Sequence, residues 1–439
     1  MVKLVIIGLG SAGFAALLSA KKYNPKAEIT IIDRKDFDLL HPCGLPYALE
    51  GILSIDSLKH DIGAERMGIK IIKKGAVKID HKNKKVILDD LSEIDYDSLI
   101  LATGSSPIIP PIKGADELLG KTVFTLHTFE DAKNLEKKAV EGNSAVVIGA
   151  GAIGLEIAFA LLEKKLKVRI IEAAQNILPR AFDADMVSGI EDYLKQKGIE
   201  LMLGKKVSEI KQNAVLVDNE EIKCDLVVLS TGSRPNLEIA EKSDLQIGER
   251  NLKVNEFLET NIKDIYAAGD MVEVPNIINN KEICIGLANS AYLQGIIAGQ
   301  NALGAKRKYI GTMLSFVTVI DDLEIASTGF TKAFAEKSGI KCVDGRVKGK
   351  NKYAWFPGAE DLMVKIIAEE ASGKIIGAQA AGKGAHMRIN VVATALRSSL
   401  MLDELMDVEL AYCPPISEAY DVLFLACELA KRKLSMVKK

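Results

Sequence analysis

The sequence predicts an α/β protein made of two similar units with parallel sheets, followed by a third unit of the α+β class. Three observations predict this. A glycine motif after an apolar strand occurs twice, and a Thr-Gly motif after an apolar strand also occurs twice. From about residue 310 onward, strand-like segments precede helix-like segments, and neither motif is present.

The first glycine motif is Gly8-Leu9-Gly10-Ser11-Ala12-Gly13, between an apolar strand and a helix-like run. In such a turn the first glycine permits a sharp bend, the second lets a pyrophosphate approach the backbone, and the third lets helix and strand pack closely. The next strand ends in Asp33, where a carboxylate can bind a ribose hydroxyl. Strand, motif, helix and acid together predict a Rossmann-like dinucleotide-binding domain.

The same pattern returns at Gly149-Ala150-Gly151-Ala152-Ile153-Gly154, and the strand after the following helix ends in Glu172. Two such domains can hold two dinucleotides, and the usual pair is a flavin and a nicotinamide. A carboxylate suits a free ribose hydroxyl, whereas a 2′-phosphate prefers basic neighbours. No basic residue follows Glu172 before Arg180, so the sequence favours NADH over NADPH.

The Thr-Gly motifs complete the duplication. Ala102-Thr103-Gly104-Ser105 and Ser230-Thr231-Gly232-Ser233 each follow an apolar strand. A further strand that ends in Gly269-Asp270 indicates that the chain returns to its first unit. We therefore expect a first domain of residues 1–112 and 254–309, a second of 113–253 and a third of 310–439. Segments 69–72, 76–80 and 85–88 are expected to be short antiparallel strands on the first sheet.

Composition narrows the partners and the cellular location. The net charge of −2, from 57 basic and 59 acidic residues, does not suggest nucleic acid or an anionic membrane as the main partner. No apolar stretch approaches the roughly 20 residues of a membrane span. The six cysteines include no CxxC pair, so we expect neither a disulfide framework nor a metal site. Scattered free thiols indicate a reducing, cytoplasmic setting.

Two further stretches give the chain a family resemblance: Pro42-Cys43-Gly44-Leu45-Pro46-Tyr47 and Tyr412-Cys413-Pro414-Pro415. With both glycine motifs, both Thr-Gly motifs and Ala267-Ala268-Gly269-Asp270, the whole chain resembles the flavin-dependent pyridine nucleotide–disulfide oxidoreductases. It looks most similar to their single-cysteine group, which comprises coenzyme A (CoA) disulfide reductases, NAD(P)H:sulfur oxidoreductases and NADH oxidases. The resemblance implies FAD in the first domain, NADH or NADPH in the second, and a C-terminal dimerisation domain that forms a homodimer.

Cys43 is the predicted redox residue. Relatives similar to glutathione reductase carry a second cysteine five positions later, where this chain has Ala48, so no internal dithiol can form. A single thiol must pair with an external thiol or become a sulfenic acid. A helix that starts at Cys43 would lower the pKa of the thiol and favour the thiolate.

The predicted activity transfers electrons from NAD(P)H through FAD to Cys43 and on to a small disulfide, persulfide or polysulfide. CoA is a candidate moiety of that substrate. The alternatives are an NADH oxidase with a Cys43 sulfenic acid and a non-catalytic, nucleotide-loaded redox sensor. Ser11 stands where water-forming NADH oxidases tend to carry a histidine, which makes the oxidase less favoured.

The resemblance also assigns site residues. Tyr412 would reach across the dimer toward the partner's redox cysteine, and Cys413 could lie near that thiol as a second thiol or be a buried bystander. Glu156 would orient the nicotinamide or lie on a solvated helix face. Asp270 would bind the ribityl chain of the flavin. The expected cofactor-binding residues are Gly8, Gly10, Ser11, Ala12, Gly13, Asp33, Arg34, Val77, Ala102, Thr103, Gly104, Gly149, Gly151, Ile153, Gly154, Glu156, Glu172, Gly232, Asp270 and Ala288.

Overall fold

The computed structural model describes residues 2–437. Up to residue 112 its elements are β1 (Lys3–Ile7), α1 (Ser11–Tyr23), β2 (Glu28–Ile32), β3 (Leu39–Leu40), α2 (Leu45–Glu50), β4 (Lys59–His60), β5 (Ile69–Ile72), β6 (Ala76–Asp80), β7 (Lys85–Leu88), β8 (Glu93–Asp95), β9 (Ser98–Leu101) and β10 (Ser105–Pro107). Residues 113–253 form β11 (Val123–Phe124), α3 (Phe129–Glu141), β12 (Ser144–Ile148), α4 (Ala152–Glu163), β13 (Lys167–Glu172), α5 (Ala184–Lys197), β14 (Glu200–Leu203), β15 (Val207–Lys211), β16 (Ala214–Val217), β17 (Glu220–Lys223), β18 (Leu226–Leu229), β19 (Ser233–Pro235) and α6 (Glu238–Glu241).

The remainder of the chain contributes β20 (Ile265–Ala267), β21 (Glu273–Pro275), β22 (Glu282–Cys284), α7 (Ala288–Asn301), β23 (Phe316–Ile320), β24 (Leu323–Gly329), α8 (Lys332–Lys337), β25 (Cys342–Lys350), β26 (Asp361–Glu369), β27 (Ile375–Gly382), α9 (Ala385–Ser398), α10 (Leu402–Met406) and α11 (Val422–Val437). Within the described residues, no helix is long and apolar enough to cross a membrane.

Two parallel sheets of five strands have the same arrangement. The first has the order β20-β9-β1-β2-β5 and the second the order β11-β18-β12-β13-β14. In both, the strand before the glycine motif is central, with the acid-bearing strand on one side and the Thr-Gly strand on the other. The predicted duplication is therefore present in the sheets as well as in the motifs, and the α/β class is confirmed.

One strand lies in a different sheet from the one predicted. Segment 69–72 is β5, which pairs parallel to β2, with Ile69 opposite Ile29. The prediction of an antiparallel strand was wrong because an edge strand, which is covered on one face only, shows the same alternating pattern as a surface hairpin. β6, β7 and β8 do form an antiparallel sheet of their own.

Close packing of α1 against α7 supports the first sheet. A side chain at Gly295 would begin 2.2 Å from the carbonyl oxygen of Ala12, and one at Gly299 would begin 2.3 Å from that of Ala16. Only glycine fits at these two positions, so the two helices pack with their backbones almost in contact. This packing fixes the N-terminal turn of α1, where the first glycine motif lies.

The third unit is an antiparallel sheet in the order β23-β24-β27-β26-β25, packed against α9 and α11. A buried polar network joins it to the second unit. The ammonium of Lys365 lies 2.9 Å from Asp183 Oδ2 and 2.8 Å from Asp185 Oδ1. Asp183 also accepts hydrogen bonds from the Gln379 side chain (2.8 Å) and from the backbone N–H groups of Lys332 and Ala333.

Candidate functional site

The first glycine turn is built around an open cradle. Gly8 has a φ of +96°, and a side chain there would begin 2.2 Å from the carbonyl oxygen of Ala102. A side chain at Gly10 would instead enter open space, with no atom within 4 Å. Asp33 closes the turn because its carboxylate accepts the Leu9 N–H at 2.6 Å. The turn thus leaves free the space before the N-terminus of α1, where a pyrophosphate is favoured.

The second glycine turn has nearly the same geometry. Gly149 has a φ of +108°, and a side chain at this residue would begin 2.3 Å from the Ser230 carbonyl oxygen. Gly151 again faces open space within 4 Å. Glu172 accepts the Ala150 N–H at 2.7 Å. Each cradle could hold the diphosphate of a dinucleotide, and the residues present fit FAD in the first cradle and a nicotinamide dinucleotide in the second.

Each Thr-Gly motif is hydrogen-bonded to the chain segment that follows the other motif. The Thr103 hydroxyl donates to the Asn236 carbonyl at 2.8 Å, and the Thr231 hydroxyl donates to the Ile108 carbonyl at 2.9 Å. Ile108 N–H in turn donates to the Gly232 carbonyl at 2.9 Å. β10 and β19, which follow the motifs, pair antiparallel. The duplicated motif therefore forms the crossing between the two dinucleotide units and brings the ends of their strands together.

Asp270 lies at the end of β20, beside the first cradle. The Ser105 hydroxyl donates to its carboxylate at 2.8 Å. Burial raises the pKa of Asp270, and the Ser105 hydrogen bond opposes that rise. A partly buried carboxylate with one hydroxyl partner keeps oxygen atoms available for a hydroxyl-bearing ligand, such as the ribityl chain of a flavin.

The other predicted cofactor residues are placed as follows. Ser11, Ala12 and Gly13 form the first turn of α1, and Gly154 occupies the equivalent place in α4. Ile153 is 55% exposed, and Ala288 begins α7. Arg34 follows Asp33 and lies against Gly75. Val77 falls at a bulge between β6 and β7, and Gly104 has a φ of +65°.

Cys43 lies in a 3₁₀ turn, Pro42–Gly44, that leads into α2. Its surface is exposed to solvent, although protein surrounds it on several sides. Burial raises the pKa of the Cys43 thiol, and the charges of Glu156 and Asp270 raise it further. The predicted lowering of this pKa is wrong, because burial and the charges of the two acids outweigh the backbone hydrogen bond that favours the thiolate.

Glu156 belongs to the second cradle and Asp270 lies beside the first, so charges from both dinucleotide units act on Cys43. α2 packs against α4, the helix of the second cradle, and Leu49 is fully buried in the core of the second unit. The phenol of Tyr47 has its pKa raised to about 12, first by burial and then by the charge of Glu156. The thiol thus lies at the junction of the two dinucleotide units.

Glu156 contacts the third unit. The Thr318 hydroxyl, on β23, donates to its carboxylate at 2.5 Å across 162 residues of sequence. Burial raises the pKa of Glu156, and the Thr318 hydrogen bond partly opposes the rise. The carboxylate is therefore held between two units and does not lie on a solvated helix face.

Tyr412 belongs to an exposed aromatic cluster on the third unit. Tyr353 stacks on Trp355 with ring centroids 5.3 Å apart and meets Tyr412 edge-on at 6.0 Å. Tyr412 is 47% exposed and Trp355 is 69% exposed. Within one chain, over residues 2–437, no hydrogen bond or ring contact joins Tyr412 to the Cys43 turn. Cys413, beside Tyr412, is exposed within a single chain.

Sequence reasoning missed three contributors to the site: Thr318, Asn236 and Ser105. Ser105 belongs to the first Thr-Gly-Ser motif, whose repetition as Thr231-Gly232-Ser233 was a usable signal. Asn236 donates its side-chain N–H to the Thr103 carbonyl at 2.8 Å. Thr318 carries no local signal, because its partner lies in another unit.

Comparison with known proteins gives full-length matches. A family model described as pyridine nucleotide-disulphide oxidoreductase matches residues 2–295, and the model of that family's dimerisation domain matches residues 315–423. An NADH oxidase of Methanocaldococcus jannaschii is 37% identical, over 98% of this chain and 99% of its own length. An NAD(P)H sulfur oxidoreductase (CoA-dependent) of Pyrococcus furiosus is 31% identical, over 98% of this chain and 99% of its own length.

A solved structure shows the same likeness. The NAD-dependent persulfide reductase from A. fulgidus superimposes with a TM-score of 0.95 and 30% sequence identity. The match covers 99% of this chain and 84% of that chain. The resemblance seen in the sequence thus extends to the arrangement of all three units.

Proposed function

We propose a function from one premise: this chain belongs to the pyridine nucleotide-disulphide oxidoreductase family. It is an oxidoreductase that uses FAD and NAD(P)H, with a dimerisation domain that supports a homodimer. The acceptor we propose is a small disulfide, persulfide or polysulfide, with CoA compounds as leading candidates. The relatives from Pyrococcus furiosus and A. fulgidus, named as a CoA-dependent sulfur oxidoreductase and a persulfide reductase, support this choice.

The observation that carries the proposal is Cys43, a lone exposed thiol at the junction of the two cradles. Bound FAD would supply the redox chemistry, taking a hydride from NAD(P)H and returning two electrons to sulfur. The Cys43 thiolate attacks one sulfur of the acceptor's S–S bond. That bond breaks as a new S–S bond to Cys43 forms, and the sulfur that leaves takes a proton. Ala48, five residues on, leaves Cys43 with no internal partner to displace the bound sulfur.

The remaining site residues bind the two cofactors and position the sulfur acceptor. Gly10 and Gly151 leave the space for the two diphosphates, and Asp33 and Glu172 fix each turn. In the homodimer, we propose that Tyr412 reaches the Cys43 of the partner and hydrogen-bonds the sulfur acceptor. Glu172 favours NADH over NADPH, which a comparison of kcat/KM for the two reductants tests.

An NADH oxidase is the second candidate. It is favoured by the 37% identical relative of that name and by the exposure of Cys43, which permits oxidation to a sulfenic acid. In this candidate, oxygen replaces the sulfur acceptor and the organic disulfide has no role.

Anaerobic titration of the FAD-loaded protein with NADH separates the candidates. We expect NADH to bleach the flavin absorbance, and CoA disulfide, CoA persulfide or polysulfide to restore it in the wild type and in the control variant Cys284→Ser. In Cys43→Ser the sulfur acceptors should not restore it. If Cys43→Ser is reoxidised by every sulfur compound as fast as the wild type, the cysteine mechanism is wrong. Rapid reoxidation by oxygen alone would favour the oxidase.

A further inference from the structure

Two loops of the third unit carry the exposed aromatic cluster, and we call them the aromatic loops. Loop 351–360 joins β25 to β26 and holds Tyr353 and Trp355, and loop 407–421 joins α10 to α11 and holds Tyr412. Neither loop contains a helix or a strand. Over residues 2–437, no hydrogen bond between backbone groups joins one loop to the other. Side chains must therefore set the position of Tyr412.

Arg388, on α9, binds one end of each aromatic loop. Its Nη2 donates to the carbonyl oxygen of Asn351, where the first loop begins, at 3.1 Å, and to Asp421 Oδ2, where the second loop ends, at 2.6 Å. Nε lies 3.2 Å from each carboxylate oxygen of Asp421, and Nη1 donates to the Gly384 carbonyl oxygen at 3.3 Å. All three nitrogens of the guanidinium thus hold the two loop ends against α9.

This group of contacts is buried. Arg388 is 7% exposed and Asp421 is 6% exposed, so little water can replace a contact that is lost. Asp421 also accepts the Leu423 N–H at 3.0 Å and so holds the start of α11. A buried ion pair adds little net stability compared with apolar residues of similar size, but it can favour one arrangement of the groups around it.

Tyr353 joins the aromatic loops a second time. Its hydroxyl accepts the Ala419 N–H of the second loop at 3.3 Å, and its ring meets that of Tyr412 edge-on at 6.0 Å. Tyr353 and Ala419 each stand two positions from a loop end that Arg388 binds. A short path of direct contacts therefore leads from the guanidinium of Arg388 to the phenol of Tyr412.

We propose that Arg388 is a positioning residue for the acceptor step. It holds the two aromatic loops in one arrangement and so fixes the place at which Tyr412 meets the sulfur acceptor. A displacement of about 1 Å in the groups around a reacting centre can slow a step by about 100-fold. This inference rests on the proposed function, in which Tyr412 reaches the Cys43 of the partner, and it adds the residue that makes this reach precise.

The test variant combines Arg388→Met with Asp421→Asn. It removes both charges together, so that neither is left buried and unpaired. Asparagine can still accept the Leu423 N–H at the start of α11. A second variant, Arg388→Lys, keeps the positive charge but loses the planar fork of donors. The matched control is Lys365→Met, which breaks another buried ion pair of the third unit, with Asp183, away from both loops.

Trp355 reports on the loops directly, because it is the only tryptophan of the chain and stacks on Tyr353. We expect its fluorescence anisotropy, in the FAD-loaded, full-length protein, to fall in the double variant because the loop moves more freely. In anaerobic stopped flow, we expect reoxidation of the flavin by CoA disulfide to slow at least about tenfold. Reduction by NADH should keep its wild-type rate, because both cradles lie in other units. Arg388→Lys should change in the same direction by less, and Lys365→Met should match the wild type.

Anisotropy at the wild-type value in both Arg388 variants overturns the proposal. Unchanged reoxidation in a variant whose anisotropy has fallen also overturns it, and so does a variant in which reduction by NADH slows as much as reoxidation. A wild type that no sulfur compound reoxidises refutes the proposed function alone. The anisotropy then decides whether Arg388 holds the loops, because that measurement needs no acceptor.

Discussion

Replacement of Lys365 by methionine tests the network between the second and third units. Lys365 is 2% exposed, and its ammonium binds Asp183, itself 7% exposed, at 2.9 Å. Removal of one partner of a buried ion pair costs about 3–5 kcal/mol, because the other charge stays buried. Asp183 keeps three donors after the substitution, from Gln379 and two backbone N–H groups. We therefore expect Lys365→Met to lower the free energy of unfolding by about 3 kcal/mol, the lower end of that range.

The assay is urea denaturation at a fixed protein concentration, because unfolding of a dimer depends on concentration. The matched control is Lys383→Met, which removes an exposed pair with Glu360, 58% and 47% exposed. Such an exposed pair contributes little to stability, because water screens both charges. If Lys365→Met loses no more stability than Lys383→Met, the burial argument fails.

The same network gives a sign for the pH dependence. Burial works against the charge of Asp183, but the Ala333 N–H and the Lys365 ammonium outweigh it and lower the pKa of Asp183. A carboxyl with a lowered folded-state pKa contributes stability above its unfolded value of about 3.9, and this stability is lost as the pH falls through the folded value. The free energy of unfolding should therefore differ most between Lys365→Met and the wild type at pH 7, and this difference should shrink below about pH 4. A difference that grows toward acid pH would contradict this assignment.

Three other substitutions test the sites. Gly10→Val places a side chain in the open first cradle, so we expect the purified protein to lose FAD absorbance while its circular dichroism stays native; retention of full FAD would contradict the cradle. Glu172→Ala removes the acceptor of the Ala150 N–H. We expect the KM for NADH to rise about tenfold, the effect of losing a hydrogen bond to a charged group, with kcat less affected. An unchanged KM would refute a role of Glu172 in NADH binding. Tyr353→Phe removes a hydroxyl of the aromatic cluster that contains Tyr412, and we expect slower reoxidation by sulfur acceptors with unchanged reduction by NADH. Equal rates of both steps in the variant and the wild type would exclude this hydroxyl from acceptor binding.

The parts predictable from sequence are those that local backbone chemistry dictates. Gly8 and Gly149 must adopt positive φ and approach a neighbouring strand, so their spacing is visible without a structure. Asp33 and Glu172, at the ends of β2 and β13, close the turns that follow the neighbouring strands β1 and β12, within 24 residues of their partners. Local constraints of this kind leave a readable pattern.

The parts that were missed depend on long-range contacts. Thr318 reaches Glu156 across 162 residues, and nothing near either residue in sequence indicates the pair. The pKa of Cys43 was predicted in the wrong direction for the same reason: the packing that buries the thiol, and the charges of Glu156 and Asp270, come from other elements of the fold. The place of β5 in its sheet also required the tertiary structure, because alternation does not identify the neighbouring strand.

Leu49 has a consequence for anyone who divides this protein into fragments. It comes from the first unit and is fully buried in the core of the second, together with Ile320 and Ile325 of the third. A fragment cut at residues 113–253 would lose all three side chains and expose the apolar surface that they cover. At about 2 kcal/mol for each buried aliphatic side chain, the loss is comparable to much of the stability of a typical domain. Useful fragments must therefore carry α2 and the β23–β24 hairpin, and chimaeras with relatives should exchange these segments together.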